Sequence, residues 1–124
     1  MRFHVLMLAA AVGSLASAAT AQQSETGYPK GALASEAIAA AEYAKAEAQL
    51  REEFRVPRDD PARLINFGHV LLKTGRHAEA ARIFRQVEQS EGVELILADG
   101  RVMNSREAAR RALQAASVGG PIAE

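Results

Sequence analysis

The sequence predicts an all-α protein, a short stack of helical hairpins followed by one further helix. Three observations predict it. Large and small apolar residues recur at helical spacing in Leu64, Phe67, Gly68 and Leu71 and again in Ala80, Phe84 and Val87. Start and stop signals bracket both stretches. Between residues 32 and 54 the chain is rich in strong helix formers and free of Gly and Pro.

The first 21 of the 124 residues read as an export signal. Met1 and Arg2 give a positive start, and residues 5–15 form an apolar or small run shorter than the ~20 residues that span a bilayer. Small residues follow through Ala21, where cleavage is expected, with Ala18 as the alternative. There is no cysteine, so the chain has neither a disulfide nor a lipid-bearing cysteine. Cleavage removes only Arg2 from 15 basic residues and leaves 15 acidic ones, a mature net charge of −1. A nucleic-acid partner would normally leave a basic excess, so none is expected, and no membrane association is expected after cleavage. Arginine outnumbers lysine and alanine is abundant, a bias associated with GC-rich bacteria, so the expected destination is the periplasm or the medium.

Residues 22–31, polar and punctuated by Gly27 and Pro29, read as a flexible leader. In 32–54, Leu33, Ala37, Ala40, Ala44, Ala48 and Phe54 fall near one stripe, as one long helix or as two with a break near Ala41 and Glu42. Pro57 and Arg58-Asp59-Asp60 form a turn. Asp60 is the predicted N-cap and Pro61 the first residue of a helix to Lys73, ended by Gly75 in the left-handed conformation. A second helix runs from about His77 to Ser90, with Ala80, Ala81, Phe84 and Val87 inward. After Gly92 the period becomes two, and Asp99-Gly100 between apolar runs signals either a β-hairpin or an extended connection around a tight turn. Asn104 and Glu107 read as a capping box for a last helix, Ser105 to Ala116, with Ala108, Ala109, Ala112 and Leu113 inward. Residues 118–124 read as a loose tail.

No catalytic constellation is present. His69 and His77 are not spaced as a metal-binding pair, and Asp59-Asp60 is better explained by capping. Ser90 and Ser105 lack a nucleophile elbow, and no Gly-rich phosphate loop precedes a helix. No enzyme activity, cofactor or metal is expected.

Comparing the chain with itself at a period of thirty-four residues sets Leu33-Ala34 opposite Phe67-Gly68, Tyr43 opposite His77, and Ala46 and Leu50 opposite Ala80 and Phe84. Gly75 is matched by Ala41, which argues against a sharp break in the first unit. On these residues the segment from Pro61 to about Glu91 resembles a tetratricopeptide repeat (TPR). In that family a small residue on the first helix, here Gly68, and one on the second, here Ala80, let two helices lock, with an aromatic four residues later, here Phe84. Leu64, Phe67 and Leu71 fill further hallmark sites, although the family's usual tryptophan is Leu64 here and its usual final proline is Gly92. Residues 33–54 resemble a shortened first repeat, so the expected stack is one full and one partial repeat over 32–92, with 93–117 as a hairpin or extended segment plus a capping helix.

The resemblance implies a protein or peptide partner bound in a groove lined by the first helix of each repeat. Carried onto this chain, the groove residues are Ala62, Ile65, Asn66, His69, Leu72 and Lys73. The expected function is an exported, periplasmic interaction module or adaptor. The alternatives are a self-associating envelope protein and, below it, a small ligand-binding protein.

Overall fold

The computed structural model describes residues 27–52 and 56–119. The expected signal segment, Phe54 and residues 120–124 lie outside the described residues. The protein is mostly helical, with five helices and one small antiparallel sheet in the described part. In chain order these are α1 (Ser35–Ala39), α2 (Tyr43–Arg51), α3 (Pro61–Lys73), α4 (His77–Gln89), β1 (Glu94–Ile96), β2 (Val102–Asn104) and α5 (Ser105–Gly119).

The N-terminal stretch is two helices. Ala41 sits at φ 56°, in the left-handed region. Glu42 N–H donates to Ala37 O at 2.8 Å and Ala41 N–H to Ile38 O at 3.0 Å. Those two bonds, six-to-one and five-to-two, make a Schellman turn. Thirty-four residues later the same turn recurs: Gly75 is at φ 80°, Arg76 N–H donates to Leu71 O at 2.8 Å and Gly75 N–H to Leu72 O at 3.1 Å. The mismatch of Ala41 with Gly75 therefore does not weaken the break, because alanine adopts the glycine conformation there at a steric cost.

α3 begins as its sequence predicts. The Asp60 carboxylate accepts from Arg63 N–H at 3.0 Å, with Pro61 in the first turn. Tyr28 O–H donates to the same carboxylate at 3.1 Å, and the Tyr28 ring packs against the core. Burial, and after it the Asp60 charge, push the Tyr28 hydroxyl up to about 12. Tyr28, placed by the sequence in a flexible leader, is thus docked on the folded part of the chain.

The core lies on both sides of α3. One cluster joins Leu33, Leu64, Ile65 and Leu71 to Ala80, Phe84 and Val87 of α4, Leu95 of the hairpin, and Ala108, Ala109 and Ala112 of α5. The other joins Ala34, Ala37, Ala46 and Leu50 to Val70. Phe67 touches both, with the Arg51 guanidinium 5.0 Å from its ring centre. α3 and α4 approach closely at Gly68, where a Cβ would stand 2.4 Å from Cε1 of Phe84.

The chain after Gly92 is a true hairpin. β1 and β2 pair antiparallel, with Leu95 opposite Met103 and Ile96 opposite Val102, and the turn closes through Gly100 at φ 83°. Ser105 ties it to α5: Val93 N–H donates to Ser105 Oγ at 3.0 Å and Ser105 N–H to Val93 O at 2.8 Å. The expected capping box is half made. Asn104 Oδ1 accepts from Arg106 N–H at 2.9 Å, whereas Glu107 turns outward to Arg111 at 2.6 Å. α5 runs on to Gly119, beyond the helix end expected at Ala116.

Candidate functional site

The expected groove residues separate into two groups. Ala62, Ile65 and Asn66 are 1%, 0% and 1% exposed, so they cannot line an open groove. Their outward assignment is corrected for a physical reason. The sequence reading gave α3 one inner stripe, but α3 has the α1–α2 pair on one flank and α4–α5 on the other, and a helix enclosed on two flanks buries more than a single stripe. Asn66 is instead a structural anchor: its Nδ2 donates to Leu33 O at 2.8 Å, satisfying a carbonyl that would otherwise be buried unpaired.

His69, Leu72 and Lys73 remain at the C-terminal end of α3. Lys73 is exposed, and His69 and Leu72 are half-buried. The His69 ring meets Phe84 edge-on, with ring centres 5.5 Å apart and planes at 63°. Burial of the imidazole, with the Lys73 charge as the smaller cause, lowers its pKa to about 4. A neutral imidazole, the apolar edge of Leu72 and one cation therefore form the accessible surface of this helix end. It offers a hydrogen-bonding group, an apolar edge and a positive charge.

Beside this end lies an ion-pair clip. Both nitrogens of the Arg76 fork reach Glu47 of α2 at 2.7 Å, and Arg51 adds a third contact at 3.0 Å. The hydrogen bond from Arg76, more than any other cause, holds the Glu47 carboxyl down at about 2. The bidentate contact fixes the α3–α4 turn against the preceding helix. Sequence reasoning missed it, since the two residues are far apart in the chain.

A cavity of about 340 Å³ opens where α2 ends and α3 begins, lined by Pro29, Lys30, Gln49, Glu52, Val56 and Arg63 among others. Arg63, one of the lining residues, donates to Arg58 O at 2.9 Å and to Leu50 O. Burial first, and then the Arg58 charge, lowers the Arg63 pKa. None of these lining residues was read from the sequence as part of a site, because three separate segments meet there and no local pattern marks the meeting.

Among the described residues no cluster of three His, Cys, Asp or Glu side chains could hold a metal ion, and no helix is long and apolar enough to cross a membrane. The Nδ1 of His77 is the one buried side-chain nitrogen or oxygen without a hydrogen-bond partner among the described residues. The fold and this surface define a small helical-hairpin protein with an open helix end. Comparisons with protein-family models, with curated proteins and with solved structures find no match.

Proposed function

We propose that this chain is an exported, TPR-like protein-interaction module or adaptor of the bacterial periplasm, without catalytic activity. The observation that supports it most is the repeated turn. Ala37, Ile38, Ala41 and Glu42 make the same pair of backbone bonds as Leu71, Leu72, Gly75 and Arg76, each thirty-four residues on. Ala46 and Leu50 are buried, as are Ala80 and Phe84 in the next unit. Two hairpins with turns built alike, the apolar face of the second covered by α5, support reading the chain as a short repeat stack and its cap.

In this reading the partner is a polypeptide, and the contact residues are His69, Leu72 and Lys73. The test begins by crosslinking the native protein in cells of its source and identifying the captured partner by mass spectrometry. A chain carrying His69→Gln and Lys73→Glu is then compared with the wild type for affinity and melting. The expected result is a loss of affinity of tenfold or more with folding retained. Full affinity in the folded double variant overturns the assignment of this surface.

A further inference from the structure

The apolar surface that the described fold leaves uncovered is concentrated in the hairpin. Val93, Ile96 and Val102 are 41%, 43% and 59% exposed, and they are the exposed large hydrophobic residues of the described chain. Ile96 and Val102 face each other across the strands, on the side opposite the buried Leu95. Glu94, two residues before Ile96, shares that outer face.

β1 also has an open edge. The bonds Ser105 N–H to Val93 O and Leu97 N–H to Arg101 O direct the backbone groups of Val93, Leu95 and Leu97 toward β2. The alternating groups of Glu94 and Ile96 therefore point out of the sheet. No other described backbone group pairs with them. A two-stranded sheet with such an edge is a ready template for a third strand.

Charge selects the occupant. On the β2 side Arg101, the cation of the hairpin, pairs with Asp99 at 2.6 Å. On the β1 side Glu91 and Glu94 are exposed and make no hydrogen bond or ion pair with described residues. Over residues 94–104 the one charged side chain without an ion pair is thus Glu94, so the uncommitted charge of the hairpin is anionic and stands beside the open edge.

We propose that β1 binds an extended, basic segment of a partner protein as a third strand. Its main chain pairs with Glu94 and Ile96, an apolar side chain rests on Ile96 and Val102, and a Lys or Arg two residues away meets Glu94. A second copy of the chain is disfavoured, because its own segment around β1, residues 91–98, carries Glu91 and Glu94 and no Lys or Arg to meet the Glu94 of the first copy. This surface is separate from the end of α3, so it stands or falls independently of the reading given to His69 and Lys73.

The experiment titrates capped decapeptides of alternating basic and β-branched residues into the full chain, followed by fluorescence anisotropy. Saturable binding is expected that weakens as salt is raised. Glu94→Lys is expected to weaken it roughly fivefold or more and to favour an acidic version of the peptide. Ile96→Asn is expected to weaken it similarly, with melting unchanged in both variants because both side chains are exposed. N-methylation of the peptide's edge-facing amides is expected to abolish binding. Absence of saturable binding, equal binding of the N-methylated peptide, or indifference to Glu94→Lys overturns the proposal. So does a dimer in solution that Ile96→Asn converts to a monomer, which would make a second copy the occupant.

Discussion

The Phe84 ring lies directly over the Gly68 backbone, so that a Cβ at position 68 would stand 2.4 Å from Cε1 and 2.6 Å from Cζ of the ring. Phe84 is fully buried, so the ring has no solvent to retreat into. The residue on α3 that lacks a side chain and the aromatic on α4 are one packing unit.

Gly68→Ala is therefore expected to destabilise the protein by about 1–3 kcal/mol through overpacking, and Gly68→Leu to abolish the cooperative thermal transition. Combining Gly68→Ala with Phe84→Leu should cost less than the sum of the two single changes, with a coupling of about 0.5–3 kcal/mol. Additive costs in chemical denaturation would show that the close approach does not exist.

The two Schellman turns give a matched pair of substitutions. A left-handed alanine costs ~1–2 kcal/mol, partly offset by the ~0.4–1 kcal/mol that glycine loses through greater unfolded-state freedom. Ala41→Gly is thus expected to stabilise by about 0.5–1 kcal/mol, and Gly75→Ala to destabilise by a similar amount. Urea titrations of the two variants check the opposite signs.

Asn66→Ala leaves the Leu33 carbonyl buried without its 2.8 Å donor, a loss of about 1–3 kcal/mol. Because that bond holds the segment around Leu33 to α3, the change should be local as well as global. Hydrogen exchange followed by mass spectrometry is expected to show lost protection in residues 27–34 beyond that in α4 and α5.

Acid should act through two groups in different windows. His69 titrates at about 4 when folded against an ordinary 6.5, so between those values the unfolded chain binds a proton the folded one does not. Stability falls as pH drops from 6.5 toward 4. Glu47 is lowered from 4.5 to about 2, so its stabilising pairing, present above 4.5, is lost as pH falls toward 2. Melting temperature against pH should flatten in the upper window for His69→Leu and in the lower window for Glu47→Gln.

Much of the architecture was legible locally. Asp60-Pro61 gave the start of α3 and Gly75 its end, and Gly68 with Phe84 identified the helical hairpin, because caps and close contacts of this kind depend on residue type at short spacing. Asp99-Gly100 marked the turn of the hairpin for the same reason, although periodicity alone could not decide between paired strands and an extended connection. The break at Ala41 was harder, since alanine carries no intrinsic preference for positive φ; the helices on either side of the turn bury Ala37, Ala46 and Leu50 in one cluster.

The candidate surface was only half legible. Ala62, Ile65 and Asn66 share α3 with His69 and Lys73, and a helical period shows which residues lie together without showing how many neighbours will cover them. By itself the sequence determined where helices start, stop and lock in pairs, because those choices are made by hydrogen-bonding groups and side-chain bulk within a few residues. Only the tertiary structure decided that α3 is enclosed on both flanks, that Arg76 reaches back to Glu47, and that Ile96 and Val102 are left uncovered. Those outcomes depend on how separate segments share a limited apolar surface, a property of the assembled chain and not of any one stretch of it.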